Sequence, residues 1–500
     1  MQYQSTRNKN IAVDSAEAIK TGLSAEGGLF VPMSIPEVDM EDIELLADKS
    51  YNERAYFVLS KYLTDFTEDE LRSCISNAYT KEKFETENVA PVYKLNDNTY
   101  FLELWHGPTC AFKDMALQIL PHLLTTSMKK TNEDKEIVIL VATSGDTGKA
   151  ALEGFKDVNG TRIIVFYPNN GVSEIQKLQM ATQEGNNVSV AAVSGNFDDA
   201  QNGVKKIFTD NEYKDMLANN HFKLSSANSI NWGRLVPQIV YYFSAYADLV
   251  KSGEITVGDK INVVVPTGNF GNILAAYYAK KMGLPIAKLI CASNDNNVLT
   301  DFIRTGEYDK NRDFHATISP SMDILISSNL ERFLFDLTDR DDTVINDWMG
   351  QLAANGKYKV STYVKAKIDN LFWADFCTEA QTRETIKKCN DEYGYVMDTH
   401  TAVAKAVYDK YVAATGDKTK TVIASTASPF KFNQSVLIAL DGHQAVAGKD
   451  EFTLLEELSK KSNMKIPASL AALKDKSVIF DMVFEKDQMK QAVSDFLKVE

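Results

Sequence analysis

The chain has 500 residues, of which 44% are hydrophobic and 24% are charged. That balance is typical of a folded globular protein and excludes disordered and fibrous classes. Its 54 basic and 68 acidic residues give a formal net charge of −14, so we expect no electrostatic surface for nucleic acid or for an anionic membrane. A local cationic pocket for an anionic metabolite remains open, because it needs only one or two Lys or Arg side chains.

The cysteine pattern and the apolar runs predict a cytoplasmic protein. The five cysteines are far apart and form no C-x-x-C pair, which is against a disulfide framework or a structural zinc site. We expect no bound metal. The first residues, MQYQSTRNKN, lack the apolar region of a signal peptide. No apolar run approaches the roughly 18 residues that a membrane span needs.

The first 90 residues carry helical patterns. An acidic start at 39–42 precedes apolar positions, and residues 55–62 and 67–76 have helical spacing. These patterns predict a mostly helical N-terminal unit. Residues 92–95 and 99–104, separated by Asn-Asp-Asn, then predict a β-hairpin.

From residue 136 onward, short apolar strands alternate with loops and helices. Glu136–Ala142, residues 161–167 and Ile261–Pro266 each run into a small-residue loop and then a helical pattern. Continuous apolar strands of this kind predict an α/β protein with parallel sheets covered on both faces. Ligands of such sheets bind at the carboxyl ends of the strands, where these loops lie.

The segment TGNFGN at 267–272 is a glycine-rich loop between a strand and a helix. Its free backbone N–H groups and the helix dipole suit a phosphate. It matches neither the P-loop nor the dinucleotide-binding pattern. A tight strand–helix turn that needs glycine for its dihedrals is the alternative, and the loop by itself does not decide between the two.

The segment TSGDTG at 143–148 occupies the same position after another strand. Its hydroxyl groups and free N–H groups suit a carboxylate ligand. The alternative is a helix N-cap, in which Ser144 or Asp146 accepts hydrogen bonds from the amides of the first turn. Taken alone, the loop favours the N-cap.

The segment HGPTCAFKD at 106–114 contains Lys113 in an otherwise weakly charged stretch. A lysine in an apolar pocket has a lowered pKa and acts as an amine nucleophile. For a lysine in general, an exposed side chain paired with its neighbour, here Asp114, is the commoner case. His106 and Cys110 are four residues apart, but two ligands do not make a zinc site.

Two further polar segments have no decisive pattern of their own. SSANSINWGR at 225–234 is rich in amides and hydroxyls and ends in Arg234, whose guanidinium suits a phosphate or carboxylate. Capping of the helix that begins near Leu235 is the alternative. STASPFKF at 425–432 follows an apolar strand, and its hydroxyls suit either caps or ligands.

Together and in this order, these segments resemble the threonine synthase family, which depends on pyridoxal phosphate (PLP) and has the tryptophan-synthase-β-like fold, fold type II. YQSTRN, GLSAEGGLFVP and SPSMDILISSNLERFLF share the resemblance. It implies an N-terminal domain at 1–90 and a catalytic region at 91–500. That region would comprise a smaller α/β subdomain at about 110–220 and a larger one from the remainder, with the cofactor between them.

The resemblance also implies the cofactor contacts. Lys113 would link covalently to PLP, Asp146 would lie near the cofactor 3′-oxygen, and Thr426 would offer its hydroxyl to the pyridine nitrogen. The cofactor phosphate would bind to Gly268, Asn269, Phe270, Gly271 and Asn272. Many relatives have Asp where this chain has Asn272, a difference that leaves the backbone amides of the loop in place.

The implied reaction converts O-phospho-L-homoserine into L-threonine and phosphate, by γ-elimination of phosphate and addition of water at Cβ. The substrate carboxylate would bind the loop at 143–147, through Thr143, Ser144 and Thr147. The substrate phosphate would face Asn228 and Arg234, with help from Ser144 or Thr147. The alternatives are another fold type II lyase such as a serine/threonine dehydratase, a non-catalytic relative, and a phosphate-binding protein without PLP. A small molecule is the expected partner, and the sequence leaves monomer and homodimer open.

Overall fold

The computed structural model describes residues 1–143, 145–169 and 172–499. The N-terminal unit combines a small antiparallel sheet of order β2-β1-β3 with helices. Its elements are β1 (Gln2–Ser5), β2 (Asn8–Asp14), α1 (Ser15–Thr21), β3 (Phe30–Pro32), α2 (Met40–Leu45), α3 (Tyr51–Tyr62) and α4 (Glu68–Ala78). The prediction of a mostly helical unit was therefore incomplete, because these short strands carry no clear apolar alternation.

The N-terminal helices begin where the sequence places capping residues. Asp39 accepts a hydrogen bond from the Asp42 amide at the start of α2. Ser50 with Glu53, and Thr67 with Glu70, form capping boxes at α3 and α4. Each box satisfies amides that the first helical turn leaves without partners, which explains why these helices start where they do.

The predicted hairpin is present as β4 (Val92–Lys94) and β5 (Thr99–Glu103), paired antiparallel. A second, parallel sheet follows, of order β8-β7-β6-β9. The intervening elements are α5 (Asp114–Leu117), α6 (Leu120–Lys130), β6 (Glu136–Ala142), α7 (Asp146–Phe155), β7 (Thr161–Pro168), α8 (Glu174–Ala181), β8 (Val188–Ser194), α9 (Phe197–Thr209), α10 (Asn211–Asn219) and β9 (Phe222–Ser225).

The larger sheet has the order β14-β11-β10-β15-β5-β4, and only its β4–β5 pair is antiparallel. The elements up to its last strand are α11 (Trp232–Lys251), β10 (Ile261–Pro266), α12 (Gly271–Met282), β11 (Ile286–Ser293), α13 (Val298–Thr305), β12 (Glu307–Asp309), α14 (Leu330–Leu337), α15 (Asp342–Asn355), β13 (Lys357–Lys359), α16 (Thr362–Leu371), β14 (Phe372–Phe376), α17 (Glu379–Tyr393), α18 (Thr399–Thr415) and β15 (Thr421–Ser425). Parallel neighbours β10, β15 and β5 bring the loops that follow them to one edge of the sheet, as the strand–loop–helix pattern predicted.

The C-terminal part packs helices on the larger sheet and returns to the smaller one. Its elements are α19 (Asn433–Asp441), α20 (Glu451–Ser462), α21 (Ala468–Ala471), β16 (Val483–Glu485) and α22 (Met489–Leu497). Strand β16 pairs in parallel with β8. Short 3₁₀ helices lie at Leu46–Asp48, Pro320–Met322, Pro429–Phe432, His443–Ala445 and Ala472–Asp475.

Helix α11 is the packing centre that joins the N-terminal unit to the rest. Trp232 at its start is fully buried, and its ring centroid lies 5.4 Å from that of Tyr3 and 5.5 Å from that of Tyr62. Aromatic pairs at this separation stabilise beyond their buried area. The N-terminal unit is therefore anchored to the rest of the chain by a shared core.

A buried arginine adds polar links at the same junction. Arg332 is fully buried on α14 and donates to the carbonyls of Phe30 (2.9 Å) and Ile230 (2.6 Å). It also donates to Asn329 Oδ1 at 2.5 Å. These bonds tie β3, the segment before α11 and the start of α14 together, which fixes the base of the loops described below.

Across the described residues, no helix is both long enough and apolar enough to cross a lipid bilayer.

The junction gives a stability prediction at Gly283, which ends α12 with φ of 118°. A Cβ there would lie 2.4 Å from the carbonyl oxygen of Val38. We expect Gly283→Ala to lower the free energy of unfolding by about 2–4 kcal/mol, through the clash and the left-handed dihedral. Gly253→Ala is the matched control, because Gly253 has φ of 71° with nothing within 4 Å, and should cost only about 1 kcal/mol. Denaturant unfolding measures both, and equal losses would contradict the prediction.

Candidate active site

The segment that carries Lys113 is fixed to the loop after β15. The Phe112 amide donates to the Thr426 carbonyl at 2.8 Å, and Ala111 forms an isolated β-bridge with Ala427. Lys113 then occupies the N-cap position, directly before α5. Because β5 and β15 are neighbouring parallel strands, the sheet itself brings Lys113 beside Thr426.

The Lys113 side chain is buried among charged and polar groups. Its Nζ donates to Ser321 Oγ at 3.0 Å and lies 3.8 Å from Asp146 Oδ2. Burial lowers the pKa of Lys113 to about 8; the negative charge of Asp146 opposes this change, whereas the positive charges of Lys431 and Arg234 add to it. The amine is therefore partly neutral near neutral pH, as a nucleophile requires.

The pairing of Lys113 with Asp114, the alternative from sequence, is wrong. The Asp114 carboxylate instead accepts hydrogen bonds from the Thr109 amide at 2.8 Å and the Thr109 hydroxyl at 2.7 Å. These bonds shape the turn before Lys113. Nearby, His106 Nε2 bonds to Glu103 at 2.8 Å. Within the described residues, no group of three or more His, Cys, Asp or Glu side chains is placed to hold a metal ion.

Asp146 is the anion of the site. Its Oδ1 forms an ion pair with Lys431 Nζ at 2.8 Å and accepts a hydrogen bond from Gln176 Nε2 at 2.9 Å, and its Oδ2 accepts from Ser321 Oγ at 3.1 Å. Although burial by itself raises the pKa of this carboxyl, the charges of Lys431 and Lys113 hold it well below its usual range. An N-cap role for Asp146 is thus wrong, because its oxygens accept from side chains of other elements.

The loop between β6 and α7 is braced by Thr143. Its Oγ1 accepts from the amides of Gly145 (3.0 Å) and Gly148 (2.9 Å). Thr147 is half-buried in the first turn of α7. Ser144, the third expected substrate contact in this loop, lies outside the described residues. The loop therefore presents a helix N-terminus, with its favourable potential for an anion, next to Asp146.

The glycine-rich loop lies against the same centre. Phe270 has a left-handed φ of 64°, and α12 begins at Gly271. The carbonyls of Gly268 and Asn269 accept from Ser327 Oγ (2.7 Å) and the Asn329 amide (3.1 Å). The amides of the first turn of α12 have no acceptor within their own helix, so they are the donors that this loop offers to a ligand.

Gly268 shows how close the loop comes to Lys113. A Cβ on Gly268 would lie 2.7 Å from the carbonyl oxygen of Ser321, the residue whose hydroxyl bonds to Lys113. Any side chain there would push the two segments apart. The glycine thus allows the loop to approach the Ser321 segment closely, a spatial requirement that neither interpretation from the sequence included.

Asn272 supplies a buried donor. Its Oδ1 accepts from the hydroxyls of Tyr241 (2.7 Å) and Tyr242 (2.5 Å) on α11. Its Nδ2 is buried and has no hydrogen-bond partner in the described part of the chain. A buried donor without a partner is costly, so an acceptor from a ligand would offset that cost.

Arg234 is a buried cation without a countercharge. It is 4% exposed, and one of its terminal amino groups donates to the Ala227 carbonyl at 2.8 Å. Its Nε is buried without a partner, and among the described residues no carboxylate lies within ion-pair distance of the guanidinium. Burial lowers its pKa to about 10. Asn228, six residues earlier, is exposed. A buried arginine of this kind suits an incoming anion.

The structure places several groups here to which the sequence analysis assigned no role. Ser321 links Lys113 to Asp146, and its amide donates to His400 Nε2 at 3.1 Å. His400 Nδ1 is bonded in turn to Asp398 at 2.7 Å. Ser321 and Lys431 lie inside SPSMDI and STASPFKF, segments that carried the family resemblance, yet neither has a chemical pattern of its own that identifies it.

Three family profiles match the chain. They are described as "Threonine synthase N terminus" at residues 2–79, "Pyridoxal-phosphate dependent enzyme" at 84–358 and "Threonine synthase, C-terminal" at 401–492. The middle profile alone spans more than half of the chain, and the three follow one another in order along it.

Individual relatives agree with the profiles. Threonine synthase-like 1 of Homo sapiens is 42% identical over 436 residues, which are 85% of this chain and 58% of that protein; the chain thus spans little more than half the length of such relatives. Threonine synthase of Saccharomyces cerevisiae is 36% identical over 491 residues, 93% of each chain.

A solved structure agrees with the fold. The crystal structure of PLP-bound threonine synthase from Brucella melitensis superposes with a TM-score of 0.88 at 35% identity, covering 100% of this chain and 99% of that one. The match includes both parallel sheets and the N-terminal unit. The chain therefore belongs to the threonine synthase family, within the pyridoxal-phosphate-dependent enzymes of fold type II.

Proposed function

We propose that this protein is a threonine synthase that uses PLP to convert O-phospho-L-homoserine and water into L-threonine and phosphate. The observation that carries the proposal is the buried amine of Lys113, set beside Asp146 and close to the glycine-rich loop. Family membership supports the same activity, since relatives that this chain covers along most of their length are named threonine synthases.

The residues fit the phosphate of the cofactor. The first-turn amides of α12 and the unpartnered Nδ2 of Asn272 are donors without acceptors in the described chain. Residues 268–271 leave room for close approach because two of them are glycines. Bound PLP supplies an electron sink that makes the hydrogens on the substrate carbons near the amino group acidic.

Lys113 has the properties that the proposed chemistry requires. With a pKa of about 8, its amine is neutral often enough to bind an aldehyde covalently and to take up a proton. In the proposed reaction, Lys113 Nζ would remove the proton at the substrate Cα and then one at Cβ. Ser321 Oγ, 3.0 Å away, orients Nζ for these transfers.

Thr426 and Asp146 would set the electronic character of the cofactor. Thr426 is buried at the end of β15 beside the Lys113 segment, where its neutral hydroxyl would face the pyridine nitrogen. A hydroxyl stabilises a protonated ring less than a carboxylate would, which suits elimination over side reactions. Asp146 would lie on the opposite side, near the 3′-oxygen.

Arg234 and the start of α7 would bind the two anionic ends of the substrate. A dianionic phosphate would give Arg234 the countercharge that the described chain does not provide, and the exposed Asn228 would add a polar contact. The substrate carboxylate would bind at Thr143, Ser144 and Thr147, at the amino end of α7. Elimination would leave the phosphate beside Arg234.

A serine/threonine dehydratase is the competing function. Such an enzyme needs no γ-phosphate pocket, and the buried Arg234 without a carboxylate partner favours the phosphorylated substrate. An assay of the purified protein with L-serine and L-threonine separates the two functions, because a dehydratase would release ammonia from them at a rate comparable to turnover of phosphohomoserine.

We further propose that the two parallel sheets form two subdomains with the cofactor between them, in a cytoplasmic enzyme. The cysteines are buried, unpaired thiols, which supports a reducing compartment. Both a monomer and a homodimer are compatible with this site, whose residues all come from one chain.

Substitution of Lys113 tests the proposed function directly. We expect Lys113→Ala to lower threonine formation by at least about 10³-fold, because the amine both attaches the cofactor and transfers protons. Lys405→Ala is the matched control, since the two lysine side chains are 11–12% exposed and Lys405 lies outside the site. Near-normal turnover by Lys113→Ala in a coupled phosphate-release assay would refute the role.

Substitution of Arg234 tests the phosphate pocket. We expect Arg234→Ala to raise KM for O-phospho-L-homoserine by about 10–100-fold, the loss of one or two charge-assisted hydrogen bonds. The affinity for PLP, measured by absorbance titration, should change much less. An equal loss of affinity for substrate and cofactor would overturn the assignment.

A further inference from the structure

Lys431 is a fully buried charged group of the site. Its side chain is 0% exposed in the 3₁₀ helix Pro429–Phe432. Its Nζ donates to the Thr109 carbonyl at 2.9 Å and lies 2.8 Å from Asp146 Oδ1. Burying an ammonium group is costly unless it is paired and hydrogen-bonded. Packing alone therefore does not explain a lysine at position 431.

The pairing divides the Asp146 carboxylate between two amines. Oδ1 lies against Lys431 at 2.8 Å, whereas Oδ2 is 3.8 Å from Lys113 and bonds to Ser321. The closer contact is with Lys431, and Coulomb attraction grows as the separation falls. The negative charge of Asp146 therefore attracts Lys431 more strongly than it attracts Lys113.

We propose that Lys431 is a positioning residue that neutralises Asp146, so that the Lys113 amine stays available to react. The inference extends the proposed function, on whose assignment of Lys113 it rests. Toward Lys113, Lys431 and Asp146 act as an ion pair whose net charge is close to zero. The carboxylate orients the Lys113 amine through Ser321 without stabilising the protonated form of that amine.

The surroundings keep this geometry rigid. Ser321 lies in the 3₁₀ helix Pro320–Met322. Its backbone amide donates to His400 Nε2, and its carbonyl oxygen lies against Gly268. Gln176 from α8 donates to Asp146 Oδ1 at 2.9 Å. The carboxylate therefore cannot rotate toward Lys113 without losing bonds to both Gln176 and Lys431.

Among the described residues, four charged groups act most strongly on Lys113. Asp146 faces it from α7, Lys431 from the 3₁₀ helix, Arg234 from α11 and Asp114 from its own helix α5. His400 contacts the neighbouring Ser321 amide from α18. Of the two cations, only Lys431 is paired with Asp146, the anion nearest Lys113. Removing the charge of Lys431 would therefore leave Asp146 to interact with Lys113.

The test measures the pKa of the Lys113 amine in the full-length protein stripped of PLP. Trace acetylation across a pH series, followed by peptide mass spectrometry, reports how reactive this one amine is. We expect Lys431→Met to raise the Lys113 pKa by about one unit or more, so that labelling below pH 8 falls about tenfold. Lys149→Met is the matched control, because it removes another buried lysine, paired with Glu153 at 3.0 Å, and should leave the Lys113 pKa in place.

An unchanged or lowered Lys113 pKa in Lys431→Met would overturn the proposal. If that variant does not fold, the double variant Asp146→Asn/Lys431→Met removes both charges and leaves no buried countercharge. It should keep the Lys113 pKa within about half a unit of the wild-type value, and a rise toward the ordinary lysine value would contradict the proposal. Because acetylation requires neither PLP nor turnover, this result is separate from a failure of the proposed function.

Discussion

The site depends on a lysine amine that is buried but lacks a countercharge of its own. Burial favours the neutral form of Lys113, and the carboxylate that would reverse this effect is shared with Lys431. The rest of the architecture maintains that balance. Strands β5 and β15 fix the Lys113 segment, and α7 begins at Asp146. The 3₁₀ helix Pro320–Met322 places Ser321 between Lys113 and Asp146.

Two buried donors around this centre are suited to anionic ligands. Arg234 Nε and Asn272 Nδ2 are buried without partners in the described residues, and the helices α7 and α12 direct their amino ends toward the cleft. A protein of net charge −14 thus concentrates positive potential in one place, which suits a phosphorylated cofactor and the phosphorylated substrate that we propose.

Local patterns predicted the scaffold well and the site only in part. Strands β6 and β10 have the predicted bounds because continuous apolar runs between loop residues leave few alternatives. The N-terminal strands were missed, since their polar residues show no alternation. Lys113, Asp146 and the glycine-rich loop were candidates from their own segments, and the family resemblance supplied the roles that we propose for them. The partners Lys431, Ser321 and His400 were not, because only the folded chain brings residues so far apart in sequence into contact.

The most direct test of the central claim is to reduce the PLP-loaded protein with borohydride, digest it and locate the cofactor by mass spectrometry. The account predicts one modified peptide, with the reduced cofactor on the Nζ of Lys113. A cofactor found on a different lysine, or a protein that retains no cofactor after reduction, would contradict it.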